Sequence, residues 1–157
     1  MTALRPGTEL ILLQLFANIV LGVLMISMTV IIHTFGLIGV TRAMGWVTDR
    51  IRLAGHRSHL LAMNTVVIGV FAVLTAEVWL WALCYRLLGF ITDFPTALYF
   101  ATITFSTVGY GDVVPAVEWR MLAALEGVNG FVLIGWSTAY LVAAGMRVGP
   151  FRSGEHF

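Results

Sequence analysis

The chain has 157 residues, of which 59% are hydrophobic and 11% charged, and its mean hydropathy is +0.93. A water-soluble domain of this length does not bury so much apolar surface, so the solvent the sequence implies is lipid. All nine basic residues are arginine and the formal net charge is +1, which excludes a polybasic nucleic-acid binder, while the single cysteine, Cys84, excludes an intrachain disulfide and reads as a small buried hydrophobe.

The first apolar segment runs from about Leu10 to Val40, with His33 its only potentially charged member. It is far longer than the apolar core of a cleaved signal peptide and long enough to span a bilayer. The loop TRAMGWVTDRIRLAGHRS follows and carries Arg42, Arg50, Arg52 and Arg57. Its arginines read as a topology determinant, and Trp46, Val47 and Ile51 between them leave room for a short interfacial helix. His56 and His59 read as interface residues, not as metal ligands. A second apolar segment extends from about Leu60 to Phe90, broken by Glu77 and Arg86, and a third from about Met121 to Met146, broken by Glu126. Three spanning helices are expected, each exceeding the about 20 residues needed to cross about 30 Å of hydrocarbon.

Between the second and third segments lies ITDFPTALYFATITFSTVGYGDVVPAVEW. Asp93 followed by Phe94 and Pro95 predicts a helix start: a capping carboxylate, then a proline in the first turn, where its missing N–H costs nothing. From there to Ser106 the chain makes roughly four turns, about 20 Å at 1.5 Å per residue. That is too short to span and too apolar to lie in water. A re-entrant loop is expected, with irregular backbone that survives at membrane depth only where it is buried in protein or lines a watery path.

Residues 107–112 of that stretch read TVGYGD. Glycine at 109 and 111 permits backbone angles closed to other residues. Alternating them with Val108 and Tyr110 turns successive carbonyls to the same side, and Thr107 adds a hydroxyl oxygen at the inner end. One chain supplies one such row of oxygens, which cannot replace an ion's hydration shell; four rows around an axis can.

Residues from about Leu60 to Arg147 resemble the pore module of the potassium-channel superfamily. The likeness is nearest to small bacterial channels with one pore domain per chain, the ion-channel family also described as two-pore-domain-like. The resemblance implies an outer helix, pore helix, filter and inner helix assembled as a homotetramer. It assigns the filter to Thr107, Val108, Gly109, Tyr110 and Gly111, with potassium, the permeating ion, held by the oxygens of Thr107 to Tyr110. Asp112 becomes the acid at the outer mouth, where it draws cations. Tyr99 and Phe100 fall where pore helices of this family carry an aromatic cuff bracing the filter, with Tyr99 in reach of Asp112. Gly130 matches the family's hinge glycine, and glycine there equally suits close packing. Phe131, Ile134, Thr138 and Val142 would face the cavity, as ordinary pore lining or, for Phe131 and Ile134, as a constriction.

The departures are as informative. Ile103 stands where some bacterial channels carry a glutamate behind the filter. No helix has arginine at every third position, as a voltage sensor does. The first helix has no counterpart in a minimal two-helix channel, and only ten residues follow Arg147.

The arginine loop together with Arg147 and Arg152 outweighs Arg5 and Arg120 on the other side. The positive-inside rule then predicts an outer N-terminus and a cytoplasmic C-terminus in the cell membrane, with the re-entrant loop and Asp112 facing outward. Glu77 and Glu126 are costly at membrane depth and need partners, protons or water. Helix rise places Glu77 level with Asn129, which predicts a hydrogen-bonded staple between the second and third helices; a proton-sensitive gate is the alternative.

The expectation is an all-α membrane protein with three transmembrane helices, a re-entrant pore helix and a selectivity filter between the second and third. Residues 1–58 would form the first helix and arginine loop, 59–147 the pore module and 148–157 a short tail. The expected function is passive potassium conduction by four identical subunits in a lipid bilayer, with no cofactor, no enzymatic site and no nucleic acid. A nonselective cation channel or a subunit of a potassium transport system are the rivals.

Overall fold

The structure is a computed structural model and describes residues 6–50 and 56–148. Its order is α1 (Pro6–Arg50), α2 (His56–Leu87), α3 (Phe94–Phe105), a single 3-10 turn at Val117–Trp119, and α4 (Arg120–Val148). Expectations placed on Arg5, Ile51, Arg52, Arg152 and the tail from 149 lie outside the described residues, as do the side chains of Arg50, His56, Arg57 and His59. Among the described residues there is no strand. Three helical stretches, Glu9–Asp49, Leu60–Leu87 and Val117–Arg147, are long and apolar enough to cross a membrane. The protein is an all-helical membrane protein.

One boundary differs from expectation. α1 does not stop near Val40 but continues for 45 residues in all, so Arg42 and Trp46 ride on a helix and not in a loop. At 1.5 Å per residue it is about 68 Å long, roughly twice the hydrocarbon thickness. Two polar side chains of this stretch are spent inside the helix. The Thr41 hydroxyl donates to the Leu37 carbonyl and the Thr48 hydroxyl to that of Met44, each at 2.8 Å, which is the helix-compatible use of such side chains.

α3 begins as its sequence predicts. Asp93 is extended (φ −93°, ψ 122°), and its carboxylate accepts the Thr96 N–H at 3.0 Å and the Thr96 hydroxyl at 2.6 Å. Its twelve residues cover about 18 Å. It ends at Ser106, whose N–H and hydroxyl both return to the Thr102 carbonyl.

The described residues group into two compact units, 6–30 with 78–132, and 31–50 and 56–77 with 133–148. In the first, α3 is packed on a core that includes Trp81, Tyr85, Phe105 and Leu122, all fully buried or nearly so. In the second, Val40, Val66, Val73 and Ala144 form the core, with Met44, Tyr140 and Leu141 against it. Here small residues bring α1 and α2 close: Gly36 lies on Val73 and Gly69 on Val40. Lipid tails are as apolar as leucine, so such contacts hold helices by van der Waals fit and interhelical hydrogen bonds instead of by escape from water.

Candidate functional site

The segment after α3 leaves helical geometry abruptly. The Thr107 N–H donates to the Thr104 carbonyl and the Gly109 N–H to that of Ile103, both at 3.0 Å. Three alternate residues then take left-handed backbone: Thr107 at φ 62°, Gly109 at 53° and Gly111 at 77°. Thr107 is the only non-glycine at positive φ among the described residues, and no sequence signal marked it, because threonine has no preference for that region. Val108 and Tyr110, the residues between, have exposed side chains.

Asp112 follows. Its carboxylate accepts the Tyr99 hydroxyl at 2.7 Å and the N–H of Val113 at 3.1 Å. The Tyr99 hydrogen bond, with the backbone N–H groups of Asp112 and Val113 adding to it, holds the Asp112 carboxyl below its ordinary range. Phe100, next to Tyr99 on α3, faces away into the core. Its ring meets Tyr85 at 5.3 Å and Phe90 at 5.5 Å, both edge-on, the arrangement aromatic quadrupoles favour. The two expected cuff residues therefore have different neighbours.

On α4, Gly130 is buried against the end of α3: a Cβ there would sit 1.9 Å from the Phe105 carbonyl oxygen. Close approach is what requires glycine at this position. Phe131, Thr138 and Val142 are exposed in the chain and Ile134 partly so. The Thr138 hydroxyl is spent on the Ile134 carbonyl at 2.9 Å.

The buried polar groups pair differently from expectation. Glu77 is matched by His33 on α1, with Oε1 to Nδ1 at 2.9 Å and both side chains fully buried; the His33 ring also packs on Trp136 at 5.1 Å. Asn129 instead donates to the Thr29 hydroxyl at 2.9 Å. The expected staple from Glu77 to Asn129 is thus replaced by two bonds, each supplied by α1. α1 is joined to α4 again by the Thr41–Tyr140 hydroxyl pair at 2.8 Å, and to the 3-10 turn before α4 by Asn18, which donates to the Glu118 carbonyl. Glu126 accepts the Tyr85 hydroxyl at 2.5 Å. Helix rise predicts heights but not rotations, which is why the partners were not legible. His33, a lone ionisable side chain in a long apolar run, was the available signal.

Glu77→Leu leaves His33 buried without its partner. It is expected to lower the thermal midpoint of the detergent-solubilised protein, by loss of a bond worth about 0.6–2 kcal/mol in a membrane and the desolvation of what remains. Glu77→Gln keeps an acceptor for Nδ1 and is expected to stay near wild type. Equal midpoints for Glu77→Leu and wild type would show that the pair holds nothing together.

A family model described as an ion channel matches residues 62–147, more than half of the chain. Comparison with curated proteins and with solved structures returns no match.

Proposed function

The chain belongs to the ion-channel family, whose members conduct ions passively across a membrane, and from that premise we propose that it is a potassium-selective channel built from four identical subunits. α3 is the re-entrant pore helix, and Thr107, Val108, Gly109, Tyr110 and Gly111 are the filter. One observation carries this reading: left-handed backbone at 107, 109 and 111 alternates with ordinary backbone inside TVGYGD, directly after a helix too short to span. That alternation aligns successive carbonyls on one side, so that each strand offers a ladder of oxygens in place of water. A single ladder leaves the ion's other sides bare. Four around an axis enclose it, with Asp112 concentrating cations at the entrance. Phe131, Ile134, Thr138 and Val142 then line the path below. Arg42 and Arg50 toward the end of α1 and Arg147 at the end of α4 support a cytoplasmic position for those helix ends, with the N-terminus outside and the C-terminus in the cytoplasm of the cell.

Purified protein in liposomes tests this directly. Potassium efflux should be fast, with sodium efflux at least tenfold slower, and mass photometry in detergent should give the mass of four chains. Equal sodium flux would make the pore nonselective. A functional dimer would overturn the reading, since two ladders do not surround an ion.

A further inference from the structure

Tyr85 sits where three elements of the first unit meet. It belongs to α2, its ring contacts Phe100 of α3 at 5.3 Å and Phe90 of the following turn at 5.1 Å, and its hydroxyl reaches Glu126 of α4. Phe90 in turn faces Trp119 at 6.4 Å, which extends this aromatic cluster to the turn before α4. One turn beyond Glu126 on the same face of α4 is Gly130, pressed on the backbone of Phe105, with Gly127 near the Thr104 carbonyl. The carbonyls of Ile103 and Thr104 are the ones that accept the Gly109 and Thr107 N–H groups. A continuous path of contacts therefore runs from the Glu126 carboxyl to the first residues of the TVGYGD segment.

Stability alone does not account for Glu126. A fully buried carboxyl in hydrocarbon is costly, and its second oxygen, Oε1, has no partner among the described residues. Replacing a buried polar pair by two apolar side chains of similar shape is often neutral or stabilising, whereas a bond of fixed direction selects one rotation of a helix that is apolar on every side.

We propose that Glu126 and Tyr85 are positioning residues for ion selectivity. Their buried bond sets the rotation of α4 so that Gly127 and Gly130, not a bulkier neighbour, face the end of α3 that carries the filter strand. The inference rests on the filter reading given above. Without the bond, α4 turns slightly, Phe105 loses its seat, and the ring of oxygens that starts at Thr107 loosens.

The test is the ratio of potassium to sodium permeability in liposomes, measured beside the thermal midpoint. Tyr85→Phe removes only the hydroxyl and keeps the aromatic cluster, and the double variant Tyr85→Phe/Glu126→Leu leaves no polar atom of the pair unpaired. In both, the ratio is expected to fall about tenfold, the effect of one lost hydrogen bond to a carboxyl. The double variant is expected to keep a midpoint at or above that of wild type. Glu126→Gln retains an acceptor for Tyr85 and should restore most of the ratio. An unchanged ratio in Tyr85→Phe overturns the proposal, as does a ratio that falls equally in Glu126→Gln. A wild-type protein that does not discriminate potassium from sodium overturns the filter reading and this inference with it; a discriminating wild type with indifferent variants overturns the inference alone.

Discussion

Gly109→Ala abolishes ion flux while expression and assembly persist. Space within the chain is not the obstacle, because a Cβ at 109 meets no heavy atom within 4 Å. The obstacle is the backbone, at φ +53°. An L-residue pays about 1–2 kcal/mol to stay in the left-handed region, and it escapes that cost by rotating the adjoining peptides. Such a rotation swings the carbonyls of Val108 and Gly109 off the proposed ion path. The cost is small beside that of unfolding three packed helices, so the lesion is confined to conduction, and in the proposed tetramer it would be repeated in every subunit. Potassium efflux from liposomes is the measurement, with crosslinked oligomer as the control for assembly. Flux like that of wild type would place the ion path elsewhere in the protein.

Gly130→Ala disturbs both folding and conduction, for a different reason. Its Cβ would lie 1.9 Å from the Phe105 carbonyl oxygen and 2.6 Å from the carbonyl carbon, and these are backbone atoms that cannot swing aside. α4 must move away from the end of α3. Overpacking of this kind typically costs about 1–3 kcal/mol, and here it also displaces the residues from which the TVGYGD segment hangs. The expected result is a thermal midpoint lowered by several degrees together with loss of most flux. Gly135→Ala is the matched control within the chain: a Cβ there meets nothing within 4 Å, and alanine favours a helix over glycine by about 1 kcal/mol. If Gly130→Ala kept its stability and altered only the fraction of time the channel is open, hinge bending and not close packing would be the role of this glycine.

What the sequence determined by itself follows from constraints that act along the chain. The three long apolar runs became three long helices because lipid offers no partner to a free backbone group. Asp93 and Pro95 announced α3, since a cap is a bond between residues three apart and needs nothing from the rest of the protein. The glycines of TVGYGD announced the left-handed positions at 109 and 111, though not the one at Thr107, where tertiary context overrides preference. Even the overlong α1 is a local matter: the arginine-bearing stretch beyond Val40 continues the helix, and Thr41 and Thr48 spend their hydroxyls on the turn before them.

The tertiary structure alone decided how each helix is turned about its axis. In water, an apolar stripe against a polar face declares the side that points inward. These helices are apolar on nearly every side, and lipid and protein interior make the same demand of a leucine, so periodicity carries no such signal. Rotation is instead set by a few polar pairs and close glycine contacts: His33 with Glu77, Thr29 with Asn129, Tyr85 with Glu126, and Gly130 on Phe105. Each joins residues on different helices, 25 to about 100 positions apart in the chain, at distances of a few ångströms that no rule of spacing contains. That is why Glu77 was expected beside Asn129 and was found beside His33.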